Sequence, residues 1–412
     1  MTHDTAIRKQ GLDSRSPARA SVPYLGGALL CLVMLAGCED AFPGWSGPVG
    51  LPGEGLECAL PLEMLADGGA GLDAIPSLHN PDFVSPDHSA ADYLEETDRV
   101  VGLVVDGVPW AVPLNIGWWH EIINLDFPSG LQVAVTHCPL TGSSLVFDRA
   151  AAGGATFGVS GLLVMNNLVL FERRHSDQIW WDSEGTSSLW VQMMREARCG
   201  PASGRQLDMY PAIETTWAGW KELHPETVVV GDEIELDRDQ QSFPRQYDVY
   251  PYGTYESTEN LLSQQPEIDR RRFAKERTLG VPGRTPPVSE TEPLAGRSAI
   301  LFPFGVLRDA HEGPVAVAEG TDHEGDFVVF WDERVEGAMA FRPEVAGVPV
   351  SFTVEGDRIV DRETGSTWRV DGVAMDGPSV GQRLPPVPEA YVAFWFAWAA
   401  FHPDAEIWAP GD

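Results

Sequence analysis

One order of short signatures occurs twice along this chain, and that repetition limits the fold more than any other feature. Arg99-Val-Val-Gly-Leu-Val-Val105 with Trp110-Ala-Val-Pro-Leu114 is answered by Arg277-Thr-Leu-Gly-Val281 with Ile300-Leu-Phe-Pro-Phe304. Val133-Ala-Val-Thr-His-Cys138 with Ser144-Leu-Val-Phe-Asp-Arg149 is answered by Phe327-Val-Val-Phe-Trp331 with Met339-Ala-Phe-Arg342. Asp182-Ser-Glu-Gly-Thr-Ser-Ser-Leu-Trp190 then matches Asp361-Arg-Glu-Thr-Gly-Ser-Thr-Trp368, and Thr216-Trp-Ala-Gly-Trp-Lys-Glu-Leu-His-Pro225 matches Phe394-Trp-Phe-Ala-Trp-Ala-Ala-Phe-His-Pro403. Two copies with drifting spacings describe a duplicated domain, because a solenoid needs three or more stacked units.

Within each copy, β-branched and aromatic runs are cut by turn pairs, as at Val105-Asp-Gly-Val108 and Val354-Glu-Gly-Asp357, which are hairpin signals. Strands are expected over 99–114, 131–148, 155–159, 168–173, 299–307, 327–331, 337–342 and 348–361. One short helix closes each copy, over 216–223 and 390–401, stopped ahead of a His-Pro pair because the residue before proline is pushed out of the α region. The expected fold class is mainly β (α+β), with two tandem units. The first copy covers 93–231, a surface connection 232–276, and the second, degenerate copy 277–412.

Ahead of the body, Arg8, Lys9, Arg15 and Arg19 precede an apolar run that closes on Leu35-Ala-Gly-Cys38. Basic, apolar and small-residue regions in that order are the parts of a secretory signal. The apolar run is shorter than the roughly 20 residues that span a bilayer. The tetrapeptide resembles the bacterial lipobox, in which the cysteine is lipidated and becomes the new amino terminus. Residues 1–37 are therefore expected to be removed, with Cys38 anchoring the protein to a membrane on the extracytoplasmic side of the cell envelope. Residues 38–92, rich in Gly, Pro, Ala and Asp, are expected to form a tether, with Cys58 and the nearby Leu60, Leu62 and Leu65 the one part expected to pack on the body. The chain carries 28 Lys and Arg against 61 Asp and Glu, a net charge of −33. A field of that sign repels phosphate backbones, so nucleic acid is not an expected partner.

Trp119-His-Glu-Ile-Ile-Asn124, Cys138-Pro-Leu-Thr-Gly-Ser143, Phe157-Gly-Val-Ser-Gly161, Ser188-Leu-Trp-Val-Gln192, Tyr250-Pro-Tyr-Gly253, Lys275-Glu-Arg277 and the closing Phe396-Ala-Trp-Ala-Ala-Phe-His-Pro403 add a further constraint. Together they resemble the bacterial family with the domain of unknown function DUF 3179, over most of residues 95–409. The resemblance implies no established reaction. Its central motif often reads Cys-Pro-Leu-Cys-Gly-Ser, and here Thr141 stands for the second cysteine, so a Cys-x-x-Cys redox role is not available.

The candidate site gathers His120, Glu121, Asn124, His137 and Cys138. Imidazole, carboxylate and thiol are the ingredients of a metal site or of a base-activated cysteine. In copy two, Asp332 falls against Cys138, which marks copy one as the site-bearing copy. His120, Glu121, His137 and Cys138 form the expected metal set, and a soft thiolate with imidazoles suits copper or zinc. Alternatively Cys138 is the nucleophile, His120 its base and Glu121 or Asn124 the orienter, which would give acyl or thiol transfer. A third reading leaves Cys138 as a small buried hydrophobe in a non-catalytic interaction or scaffold lipoprotein. Cys58 and Cys199 are candidates for a disulfide in an oxidising compartment. The paired tryptophans are expected to pack rather than to line a carbohydrate platform.

Overall fold

The structure, a computed structural model, describes residues 57–411 apart from 70, 174–186, 237–244, 263–267, 288 and 290. The expected secretory signal, Cys38, His175, Trp180, Trp181 and Asp182 lie outside the described residues. No described helix is long and apolar enough to cross a membrane.

The stretch expected as a tether is, from residue 57, part of the body. Leu65–Asp67 (β1), Leu78–His79 (β2) and Phe83–Val84 (β3) each add to a sheet edge. Leu60, Leu65 and Leu78 are buried, and a disulfide joins Cys58 to Cys199. Cys58, Leu60 and Leu65 do pack on the body as expected, whereas the strands around them, two or three residues long, are too short to show alternation in a Gly- and Pro-rich stretch.

Copy one begins with Arg99–Val105 (β4) and Val108–Pro113 (β5), joined by Asp106 and Gly107 at φ of 53° and 79°. Both central residues of a type I′ turn need positive φ, which Asp-Gly supplies with little strain. At Pro113 the chain turns into the helix Leu114–His120 (α1). The meander Ile122–Asp126 (β6), Gln132–Cys138 (β7) and Ser143–Asp148 (β8) follows. Next come Phe157–Val164 (β9), Asn167–Glu172 (β10), Leu189–Val191 (β11) and Glu196–Cys199 (β12). The copy closes with Ile213–Thr216 (β13), the helix Trp217–Leu223 (α2) and Val228–Val230 (β14).

Copy two repeats the series. Arg277–Pro282 (β15) and Ala299–Pro303 (β16) lead to the helix Phe304–Asp309 (α3). The meander Val315–Asp322 (β17), Gly325–Asp332 (β18) and Gly337–Phe341 (β19) follows. A small hairpin, Glu344–Val345 (β20) and Val348–Pro349 (β21), precedes Phe352–Glu355 (β22), Arg358–Asp361 (β23) and Thr367–Trp368 (β24). Tyr391–Phe394 (β25), the helix Trp395–Phe401 (α4) and Glu406–Ile407 (β26) end it.

The copies agree at the level of register. Ile213 faces Gly102 and Thr216 faces Arg99, while Tyr391 faces Gly280 and Phe394 faces Arg277. Pro113 faces Val100 as Pro303 faces Thr278, and β14 and β26 each join their sheet in parallel, beside β5 and β16. Gly102 and Gly280 are required by what covers them: a methyl group at either would overlap the ring of Trp220 or Trp398, the matching helix tryptophans.

Two expectations need correction. The strands expected over 99–114 and 299–307 stop at Pro113 and Pro303, and the helices α1 and α3 replace their ends. Seven and six residues are under two helical turns, too short for a 3.6-residue period to show. In copy two, β25 occupies the start of the helix expected over 390–401.

The copies do not fold side by side. The β8 strand of copy one pairs with β25 of copy two through Ser144 and Val392, so that one eight-stranded sheet runs through both copies. In return the turn after β18 docks on copy one, where Val335 O accepts from the Thr216 N–H at 3.2 Å and from the Thr215 hydroxyl. Correspondingly, Thr141 O accepts from the Phe394 N–H at 2.9 Å. The α4 residues Trp395, Trp398 and Phe401 pack into a core with Phe157, Leu170 and Trp190 of copy one. Trp217 and Trp220 of α2 pack into the copy-two core of Phe330, Phe352 and Trp368. Each copy closes with a helix buried in the other.

Candidate functional site

The helix α1 ends at His120, and the chain reverses through Glu121, a non-glycine residue at φ 55°. The His137 N–H donates to Glu121 O at 2.8 Å, which sets this corner against the end of β7. The predicted site residues therefore meet in sequence order around one corner, but their side chains point different ways.

His120 is fully buried and both ring nitrogens are engaged, Nδ1 with Pro76 O at 2.7 Å and Nε2 with the Tyr247 hydroxyl at 2.8 Å. Burial pulls its pKa down to about 3, so the ring is neutral. It fastens the chain near β2 and the connection between copies to α1. Asn124 is equally committed: its amide donates to Leu78 O and Phe157 O at 3.1 and 3.0 Å, and its oxygen accepts from the Phe157 N–H at 2.8 Å. Those bonds join β2, β6 and β9.

Successive side chains on β7 alternate between faces. Ala134 and Cys138 belong to the core of Ile122, Leu145 and Phe157, whereas Val133 and Val135 belong to a separate core with Ile123, Val101 and Tyr247. Cys138 therefore faces one side and His137 the other. His120, bonded to Tyr247, lies with the second core. The expected set of His120, Glu121, His137 and Cys138 does not converge on one point, since the strand itself stands between the thiol and the imidazoles. Among the described residues, no three His, Cys, Asp or Glu side chains stand together so as to hold a metal ion.

What the corner does bring together is Glu121, Cys138 and Tyr252. The Cys138 thiol is fully buried, its Sγ 3.4 Å from Asn166 O, and its pKa is pushed up to about 11 by burial and then by the charge of Glu121. Glu121 is 8% exposed, and burial pushes its carboxyl up to about 8. Tyr252 is raised as well, by burial and then by Glu121 and Cys138. At neutral pH all three are uncharged. The turn beyond the thiol is wired by hydrogen bonds: the Thr141 and Ser143 hydroxyls are 2.8 Å apart, Ser143 donates to Gln192 Oε1 at 2.6 Å, and Asn167 donates to Thr141 Oγ1 at 3.1 Å. Thr141 thus acts as a hydrogen-bonding residue.

Glu121 makes the fold pH-sensitive in a direction set by its raised pKa. An unfolded Glu ionises from about 4.5 upward while the folded one holds its proton to about 8, so stability falls as pH rises between those values. Glu121→Gln removes this loss and is expected to stabilise the protein by about 3 kcal/mol at pH 7, taking about 1.4 kcal/mol per pH unit. Denaturant titrations of both proteins at pH 4 and pH 7 check it; an equal difference at the two pH values would contradict a protonated Glu121.

Sequence reasoning missed a second polar group across the strand. Glu214 on β13, 5% exposed, accepts from Arg99 Nε at 2.7 Å and from an Arg277 terminal nitrogen at 2.8 Å, both on one oxygen. Arg99 and Arg277 occupy matching positions of the two copies, so a single carboxylate serves both. His137 faces this group, and burial pulls it down to about 4; its Nδ1 is 3.1 Å from the Ser144 hydroxyl, while Nε2 is buried without a partner among the described residues. The one available signal was a lone acid inside the β-branched run Ile213-Glu-Thr-Thr216. Tyr247 and Tyr252 were missed because the tyrosines of the connection show no core periodicity.

Most of the paired tryptophans can be placed. Trp217, Trp220, Trp395 and Trp398 are buried, and Trp118 and Trp119 are half-buried against the core of β6 and β7. Neither a curated protein nor a solved structure matches this chain. A family model, the protein of unknown function DUF3179, matches residues 72–405, and the chain belongs to that family.

Proposed function

We propose that this chain is an exported, lipid-anchored protein of the cell envelope that acts by binding or scaffolding, with the Glu121–Cys138 corner an uncharged part of its interior. The observation that carries this reading is the thiol itself. Cys138 is fully buried, held up to about 11, beside a carboxyl that is also protonated, and on the opposite side of β7 from His137. A nucleophilic cysteine needs thiolate character and access. Export is supported by the Leu35-Ala-Gly-Cys38 signature and by the Cys58–Cys199 bond, which suits an oxidising compartment.

Alkylation kinetics test it. A thiol at about 11 rather than 9.0 carries about 100-fold less thiolate at neutral pH, so Cys138 in the native protein is expected to react at least that much more slowly than in the unfolded chain. Labelling at the rate of a free thiol would favour acyl or thiol transfer instead. A soft-metal reading, with copper or zinc, is favoured by the adjacency of Glu121 and Cys138, both of which would release a proton to a bound cation. Elemental analysis of the untagged protein beside Cys138→Ser decides between the two: stoichiometric metal, lost in the variant, overturns the binding and scaffold reading. Recovery of Cys38→Ala in the membrane fraction would overturn the anchor.

A further inference from the structure

The two copies part where β15 meets β16. In copy one the matching strands β4 and β5 are joined by Asp106 and Gly107 alone, whereas residues 283–298 join β15 to β16. A connection longer than about 12–15 residues with no helix or strand of its own is uncommon in a compact domain and usually carries function. This one is closed at its base, where the Gly283 N–H donates to Ser298 O at 2.9 Å. It is also held from beneath. Arg198 of β12 and Arg297 both donate to Pro293 O, at 3.5 and 3.3 Å, and both donate at 3.1 Å to one oxygen of Glu196.

A groove of about 550 Å³ lies between this connection and copy one, within the roughly 300–1,000 Å³ usual for small-molecule sites. Its walls include Glu196, Gly204 and Gln206 of copy one and Arg284, Thr285 and Pro286 of copy two. Arg284 is exposed and, among the described residues, its guanidinium makes no hydrogen bond or ion pair. The Gln206 amide and the Thr285 hydroxyl are likewise without a partner among the described residues. Three polar side chains on the walls of one groove are thus left for something outside the chain.

Charge decides what that is. Glu196 is opposed by both Arg198 and Arg297, so its own charge is more than balanced, and Arg284 adds a third guanidinium. Arg195, also close to Glu196, is balanced in turn by Asp208 and Glu389. The local excess is positive although the chain as a whole carries −33. Local charge prevails in a groove, because exposed charges farther off than about 8 Å are largely screened at physiological salt.

We infer that this groove binds a small organic monocarboxylate, its carboxylate on the Arg284 guanidinium and its body against Pro286. A guanidinium meets a carboxylate through two parallel N–H···O bonds, and one unpaired guanidinium matches one negative charge. Gln206 and Thr285 supply further donors. Because Glu196 and Pro293 already tie the connection down, little ordering remains for the ligand to impose.

Calorimetric titration of the full chain with acetate, lactate, pyruvate, hexanoate and benzoate, each beside its neutral amide, tests the assignment, with inorganic phosphate as a further probe. At least one carboxylate is expected to bind one to one, with its amide and phosphate about tenfold weaker or worse. Arg284→Ala alters an exposed side chain and is expected to keep its unfolding midpoint while weakening binding about tenfold or more. Arg284→Lys, which keeps the charge and loses the planar fork, should fall between the two. Failure of all five carboxylates to bind, an amide or phosphate that binds as well, or binding indifferent to Arg284→Ala would each overturn the proposal. Glu121 and Cys138 do not line the groove, so alkylation of Cys138 is read independently of these outcomes.

Discussion

Glu214→Ala is expected to destabilise the protein by about 3–5 kcal/mol, the usual cost of leaving a buried charge without its partner. The side chain is 5% exposed and accepts from Arg99 at 2.7 Å and from Arg277 at 2.8 Å. Removing it leaves two guanidiniums facing each other where the copies meet. Each retains a more exposed acid, Glu336 for Arg99 at 3.3 Å and Glu256 for Arg277 at 3.1 Å, which softens but does not cancel the repulsion. Denaturant unfolding measures the loss. Changing Arg99 and Arg277 to Met in the Glu214→Ala background is expected to recover most of it, since apolar replacement of a whole buried ionic group is often close to neutral. A loss under about 1 kcal/mol for the single change would mean that Glu214 does not hold the copies together.

Opening the Cys58–Cys199 bond is the other large effect. It closes a loop of 141 residues, for which chain entropy predicts about 5 kcal/mol of stabilisation, at the top of the range of about 2–5 kcal/mol found on removing native disulfides. The double change Cys58→Ser with Cys199→Ser avoids a stray thiol. Its unfolding midpoint should match that of the reduced parent and lie well below that of the oxidised parent. If oxidised and reduced protein unfold together, the bond holds nothing, and the packing of β1 to β3 alone keeps residues 57–92 in place.

Much of the architecture could be read from residues, and the gaps have physical reasons. The duplication was legible because Gly102 and Gly280 sit beneath Trp220 and Trp398, and those demands keep Gly and Trp in step in both copies. The Asp106-Gly107 hairpin was legible because its turn chemistry is local. The helices α1 and α3 were not, being shorter than two turns. For the candidate site, the sequence picked out residues that meet at one corner but not the direction of each side chain. His137 and Cys138 are neighbours in the chain, and the pleat sends them to opposite faces. Tertiary partners decided the rest: Pro76 and Tyr247 take up His120, and Leu78 and Phe157 take up Asn124, all of them distant in sequence.

The interlocking of the copies has a consequence for how this chain can vary. In an assembly of two identical subunits every boundary residue is present twice, so an acid placed near the axis brings a second acid with it. Joining both halves in one polypeptide lifts that restriction. Val392 stands where Glu214 stands in the other half, and Asp332 where Cys138 stands. One half is thereby free to carry an unusual group while the other acts as its frame.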